Sequence, residues 1–280
     1  MKDTIKKARP FLKWVGGKGQ ILNQLEVFFP KKFNNYFEPF VGGGAVFFHL
    51  KPERAYLNDV NSTLMHTYKL IKNEPEKLIK GLDSLEKKYK TLEDSKRKDF
   101  FLDVRSKYND SLDNFERSVY LIFLNKTCFN GMYRENSKGG FNVPFGSYKN
   151  PKILDRENLN SVSQSIKKAT LLNKDFVEAV KNAKRGDFIY LDPPYYPINK
   201  TSQFTTYSKN NFLEKEQVRL KDLFVELDKR GCFVLLSNSN TEFIRRLYNG
   251  YKQEEILAGR SINSVGSKRG KILELAVRNY

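Results

Sequence analysis

The 280-residue sequence predicts an α/β domain built on a largely parallel sheet and interrupted by a mostly helical insert. Three observations carry that prediction. Short apolar runs alternate with helical patterns in both end regions of the chain, as in βαβ units. One such run leads directly into Gly42-Gly43-Gly44 and then into a helical pattern. From Leu64 to about Leu124 the strand pattern stops, and long charged amphipathic segments replace it. The expected division is therefore an α/β domain of residues 1–65 and 155–280, with residues 66–154 inserted into it.

The elements follow in order. Residues 20–29 have helical apolar spacing, closed by Pro30. Residues 36–41 read as a buried strand running into the three glycines, and residues 45–50 as the next helix. Residues 54–59 form a second short strand ending in Asp59. A strand, a glycine loop, a helix and a strand ending in an acid open a nucleoside-binding α/β half. Glycine lets the backbone approach a ligand closely, and the terminal carboxylate can accept from both ribose hydroxyls.

Residues 125–151 are rich in Gly, Asn, aromatic and basic side chains and lack periodicity, which predicts a surface loop or hairpin that touches something. Strands are then expected at residues 169–173 and 188–191, and a helix at 214–229. Residues 231–237 are continuously apolar, as in a strand buried on both faces. Residues 255–258 and 272–277 are the last candidate strands, joined by the basic turn 266–271.

The strand at 188–191 delivers Asp192-Pro193-Pro194-Tyr195. In open α/β sheets, ligands bind at the carboxyl ends of strands. Proline fixes φ and supplies no N–H, so both proline carbonyls are expected to be free acceptors. A flat, amino-bearing ring can lie on Tyr195 and donate to Asp192 and to a proline carbonyl.

Composition narrows the partner. Fifty Lys+Arg against 32 Asp+Glu leave a net charge of +18, spread along the chain. That excess favours an acidic polymer, most simply nucleic acid; a merely lysine-rich surface also fits the charge alone. Two distant cysteines make neither a disulfide framework nor a four-ligand zinc site, and suit a reducing compartment. With only two histidines, a histidine-based triad or metal cluster is not expected, and no metal is expected. No run of 18 apolar residues predicts a membrane span, and residues 1–18 are basic without the apolar core of a signal peptide. The expected location is the cytoplasm.

Four motifs stand in a telling order: Lys13-Trp14-Val15-Gly16-Gly17-Lys18, Phe37-Glu38-Pro39-Phe40-Val41-Gly42-Gly43-Gly44, Asn58-Asp59, and Asp192-Pro193-Pro194-Tyr195. In this order they resemble the DNA adenine methyltransferase (Dam) family, the alpha group of N6-adenine enzymes. The resemblance covers nearly the whole chain. It extends through Asn130-Gly131-Met132-Tyr133-Arg134 and Phe141-Asn142-Val143-Pro144-Phe145-Gly146 in the insert.

The family implies a Rossmann-like class I methyltransferase sheet with a DNA-recognition insert. It implies S-adenosyl-L-methionine as cofactor, S-adenosyl-L-homocysteine as product, and double-stranded DNA as partner. By resemblance, Trp14, Lys18, Glu38, Phe40, Gly42, Gly44, Asp59, Asp175, Phe176 and Asp192 line the cofactor pocket, with Lys18 meeting the methionine carboxylate. Asp192 and the Pro193 carbonyl would hold the two N6 hydrogens of a flipped-out adenine, and Tyr195 would stack on its ring. Residues 204–207 are candidates for a loop over that base.

Relatives that read GATC use residues matching Lys13, Phe129, Asn130, Met132, Arg134 and Pro144, and Tyr148 joins the expected DNA contacts. Arg134 suits guanine O6 and N7. Phe129 suits a wedge into the vacated gap with Asn130 behind it, and Met132 and Pro144 suit a thymine methyl. Many relatives carry arginine where this chain has Ser147, which removes one expected DNA contact. A monomer is expected, working either beside a restriction endonuclease or as an orphan regulatory enzyme.

Competing readings are a longer site beginning GAT, cytosine-N4 or RNA amino methylation, and a binding module with a dead pocket. Motif order and the insert disfavour the second. The intact Asp59, Asp192, Tyr195 and glycine loop disfavour the third.

Overall fold

In a computed structural model, which describes residues 7–136, 138–198, 212–259 and 271–280, one seven-stranded sheet organises the chain. Its strands are β1 (Tyr36–Glu38), β2 (Ala55–Asn58), β3 (Thr170–Leu172), β4 (Phe188–Leu191), β5 (Phe233–Ser239), β6 (Lys252–Gly259) and β7 (Lys271–Arg278). The order across the sheet is β3-β2-β1-β4-β5-β7-β6. The first five strands are parallel, whereas β7 runs antiparallel to both β5 and β6. This is the expected α/β methyltransferase-type sheet. Strand order reverses between β1 and β4, and a crevice opens there at the carboxyl ends.

The helices of the α/β half are α1 (Leu22–Leu25), α2 (Ala45–Leu50), α3 (Ser62–Asn73), α7 (Arg156–Ser165), α8 (Phe176–Ala179), α9 (Glu214–Lys229) and α10 (Glu242–Leu247). The insert supplies α4 (Pro75–Thr91), α5 (Asp94–Asp110) and α6 (Asn114–Thr127). Side-chain caps start several of them: Asn61, Asp113, Asp155 and Asp175 each accept a backbone N–H of the first turn.

Strand β4 shows why the sheet is buried on both sides. Phe188 and Tyr190 enter one apolar cluster, and Ile189 and Leu191 enter the other, following the two-residue period of a strand. The first cluster runs without interruption from Tyr36 and Leu57 through Leu64, Tyr68 and Ile71 of α3 into Leu82, Phe101 and Phe123 of the insert. Thus α3 spans the expected 65/66 boundary and shares its core with both parts.

Two local expectations need correction. Residues 20–29 do not form one helix but a 3₁₀ turn (Lys18–Gln20), α1, and a second 3₁₀ turn (Glu26–Phe28). Gln24 there bonds both the N–H and the carbonyl of Leu257, so the segment covers the exposed edge of β6. Strand β1 stops at Glu38, three residues early, because Pro39 has no N–H for the ladder. The chain at 125–151 does form an irregular hairpin, with isolated bridges at Cys128–Phe145 and Glu135–Phe141. Residues 204–207 and 266–270 lie outside the described residues.

Buried Asn58 laces the crevice together. Its amide donates to the carbonyls of Pro39 and Lys174, both at 3.0 Å, and its oxygen accepts from the Lys174 N–H at 2.8 Å. One side chain thereby holds the loops after β1, β2 and β3. Asn58→Ala leaves buried partners unsatisfied and is expected to cost about 1–3 kcal/mol, measured by urea denaturation. An unchanged midpoint would show that the loops hold without it.

Candidate active site

Strand β4 ends in Asp192, whose Oδ1 lies 2.7 Å from the Lys18 ammonium. Lys18 is only 4 % exposed, and the same nitrogen donates to the Gly16 carbonyl at 2.5 Å. It also sits 4.8 Å from the centroid of the Tyr195 ring. Burial pushes the Asp192 carboxyl up to about 6 against the opposing pull of Lys18, and Glu274 adds a smaller rise. The Tyr195 hydroxyl donates to Glu274 of β7 at 2.8 Å.

The proline carbonyls differ from expectation. Pro194 O is taken by the Gln217 amide at 3.0 Å, whereas no described residue donates to Pro193 O. Gln217 is held in turn by Asn238, whose amide donates to Gln217 Oε1 at 2.9 Å. Asn238 Oδ1 accepts from the Tyr196 N–H at 3.1 Å. Both amide side chains are fully buried. They brace the backbone on either side of Tyr195, which the N–H-less prolines cannot do for themselves.

Beside this loop, Glu38 at the end of β1 accepts from the Tyr36 hydroxyl at 2.9 Å. Burial pushes its carboxyl up to about 8, beyond the lowering effect of that hydrogen bond, so it is protonated at neutral pH. Asp59 follows β2. Its Oδ2 accepts from Gly42 N–H at 3.1 Å and its Oδ1 from Asn61 N–H at 2.9 Å. Burial raises it to about 6 despite those bonds. Two backbone donors leave lone pairs for two neighbouring hydroxyls.

The glycines have an internal reason as well as the expected one. Gly42 and Gly44 have φ of +46° and +72°. A Cβ at Gly42 would lie 2.6 Å from Trp14 Cδ1, and one at Gly44 would lie 2.8 Å from the Tyr68 hydroxyl. Trp14 stacks on Tyr133 of the hairpin, with centroids 4.7 Å apart.

On the far side of the crevice, Phe40, Phe176 and Phe212 form an aromatic group with centroids 5.4 to 5.8 Å apart. Asp175 caps α8 through Val177 N–H and pairs with both guanidinium nitrogens of Arg219. Its carboxylate is thus already engaged within the protein. Arg219 also covers the Phe176 ring at 4.5 Å.

The expected DNA-contacting residues gather around the hairpin. Buried Asn125 ties the Lys13 segment to the hairpin: it accepts from Lys13 N–H at 2.9 Å and donates to the carbonyls of Lys13 and Gly131. Phe129 is 47 % exposed, and its N–H donates to the carbonyl of Pro144, itself exposed. Asn130 is held at φ +55°, and Tyr148 lies at the surface. Arg134 Nε and Nη2 bond the side-chain and backbone oxygens of Asn142, which fixes the guanidinium plane. Ser147 has φ +51°. Met132 departs from expectation: it is 9 % exposed and belongs to the core, leaving little surface for a thymine methyl.

Gln217, Asn238, Asn125, Phe212 and Glu274 were not singled out from sequence. A polar pair continuing the apolar run of β5, at Ser237-Asn238, is the one signal that pointed inward.

The match to known proteins decides the identity of this arrangement. Residues 14–262 match the model of the D12 class N6 adenine-specific DNA methyltransferases. The chain belongs to that family. It is 45 % identical over 288 residues to the type II methyltransferase M.MjaIII of Methanocaldococcus jannaschii, covering 98 % of this chain and all of that protein. It is 43 % identical over 278 residues to M1.LlaDCHI of Lactococcus lactis subsp. cremoris, covering 97 % and 95 %. Over 272 residues it is 39 % identical to the DNA adenine methylase of Vibrio cholerae, covering 97 % and 96 %.

D12 methyltransferases act on adenine in DNA with S-adenosylmethionine. The crevice fits that cofactor: a diol acceptor in Asp59, a buried ammonium in Lys18, and aromatic faces at Phe40 and Phe176. Among the described residues, no group of His, Cys, Asp and Glu is placed to hold a metal ion, and no helix is long and apolar enough to cross a membrane.

Glu38 gives a pH test of the site's burial. Its folded value lies above the ordinary one, so it adds stability in acid that is lost as pH rises through about 8. Glu38→Gln removes that dependence. Measured by urea denaturation from pH 5 to 9, the variant should gain on the wild type as pH rises; parallel curves would mean Glu38 titrates normally.

Proposed function

We propose that this methyltransferase acts on the N6 of an adenine flipped out of a DNA duplex, with GATC as the favoured site. The observation that carries the reading is the geometry at the end of β4. An ionisable carboxylate is held by Lys18, beside a Pro193 carbonyl to which no described residue donates. The amine of adenine is a poor nucleophile because its lone pair is delocalised into the ring. Asp192 and Pro193 O accept its two hydrogens, which favours a pyramidal nitrogen with its lone pair turned outward. Both contacts strengthen as positive charge develops on N6, so they bind the transition state better than the ground state. Tyr195 stacks on the ring, worth about 1–3 kcal/mol.

S-adenosylmethionine, when bound, supplies an already electrophilic methyl, so the protein needs no covalent intermediate. Asp59 takes the ribose hydroxyls, Lys18 and Glu38 face the methionine end, Trp14, Phe40, Gly42, Gly44 and Phe176 complete the pocket, and Asp175 holds Arg219 over the Phe176 ring. Reaching N6 requires extrusion from the stack.

Residues 66–154 are the DNA-reading part in this account, and residues 1–65 with 155–280 the catalytic part. Arg134, pre-oriented by Asn142, reads guanine. Exposed Phe129 fills the gap, and Lys13, Asn130, Pro144 and Tyr148 flank it. Met132 acts by packing the hairpin from within. This account places the protein in the cytoplasm as a monomer, and the names of the two type II relatives support a role beside a restriction endonuclease.

Unmethylated plasmid treated with the protein and S-adenosylmethionine should resist an endonuclease that N6-methyladenine in GATC blocks. Asp192→Ala should keep DNA binding and lose about 10²–10³-fold in turnover. A fully active Asp192→Ala would refute the mechanism. Labelled methyl uptake without any change in digestion would refute the GATC site alone.

A further inference from the structure

Both oxygens of Asp59 lead, by separate routes, to one side chain of the hairpin. From Oδ1 the route passes through the Asn61 N–H at 2.9 Å, and the Asn61 amide donates to the Tyr133 hydroxyl at 3.1 Å. From Oδ2 it passes through the Gly42 N–H at 3.1 Å. Gly42 lies directly against the edge of Trp14, and Trp14 stacks on Tyr133 at an interplanar angle of 16°. Asp59, Asn61, Tyr133, Trp14 and Gly42 therefore form a closed circuit.

The Tyr133 hydroxyl has no spare capacity. It donates to Glu135, accepts from Asn61, and lies 3.3 Å from the Tyr108 hydroxyl. The side chain is buried, so it cannot move without breaking a desolvated bond. Its neighbours in sequence are Met132, in the core, and Arg134, held by Asn142.

We propose that Tyr133 is a positioning residue that couples occupancy of the cofactor pocket to site recognition by the hairpin. The proposal rests on the preceding reading, in which Asp59 and Trp14 line the pocket and Arg134 reads DNA. Because no contact of the circuit can shift alone, a ligand that displaces one side displaces the other, and the second ligand meets a circuit already displaced. The coupling is reciprocal by linkage. Tyr133 touches neither ligand; it fixes the groups that do.

The test uses the full chain, S-adenosylhomocysteine, and a duplex that takes up labelled methyl in the assay above. S-adenosylhomocysteine affinity is measured with and without the duplex. The wild-type ratio is expected within the roughly 5–150-fold range of coupled sites. Tyr133→Phe keeps the ring stack and removes the hydroxyl. Its ratio should fall to within about twofold of one, with affinity for S-adenosylhomocysteine alone little changed. Tyr108→Phe alters the hydroxyl cluster outside the circuit and should keep the wild-type ratio.

A wild-type ratio near one overturns the proposal, and so does a wild-type ratio in Tyr133→Phe. Weaker binding of both ligands at a preserved ratio marks a purely structural role and overturns it too. Should Tyr133→Phe not fold, Glu135→Gln loosens the same hydroxyl and is read against the same outcomes. Absence of methyl uptake by the wild type on any duplex removes the underlying reading instead.

Discussion

One ammonium group, Lys18 Nζ, is the ion partner of Asp192, the carboxylate at the end of β4. Parallel strands point their carboxyl ends the same way, so β1, β2 and β4 deliver Glu38, Asp59 and Asp192 to one crevice. All three are raised by burial. Ionised carboxylates out of water are costly unless paired, and a buried charge stripped of its partner is costlier still. The outcome differs by position. Glu38, with a tyrosine for a partner, stays protonated at neutral pH. Asp192, with Lys18 beside it, titrates near 6 and is ionised above it. A carboxylate that is both dry and ionised suits a reaction in which positive charge appears on an amine.

Amides rather than charges hold the frame around that pair. Asn58 fixes three loops, Asn125 joins the N-terminal strap to the hairpin, and Gln217 with Asn238 pins the backbone flanking Tyr195. A buried amide offers donors and an acceptor without the desolvation cost of an ion. It can therefore brace the loop after β4 without adding a charge there. The prolines make such bracing necessary, since they remove the N–H groups by which a turn would hold itself.

Much of this was legible in the sequence because it depends on local pattern. Strand β4 and the tetrapeptide after it, Asp59 after β2 and the helical insert all follow from periodicity and punctuation. The less legible parts depend on distant partners. Gln217 falls on an ordinary amphipathic helix, and only the fold shows that it reaches Pro194. The segment 20–29 has a helical pattern, yet Gln24 binds the edge of β6, more than 230 residues away. Met132 has the chemistry of a base contact and the position of a core residue. Asp175 was expected to face a ligand, and Arg219, 44 residues on, already engages it.

The central claim is that Lys18 holds down the proton affinity of an Asp192 carboxyl that burial raises. It is tested most directly by the pH dependence of single-turnover methyl transfer at saturating cofactor, in the wild type and in Lys18→Met. The account predicts a wild-type rate that falls as pH drops through about 6, and a midpoint displaced to higher pH in Lys18→Met. The same midpoint in both proteins would contradict it.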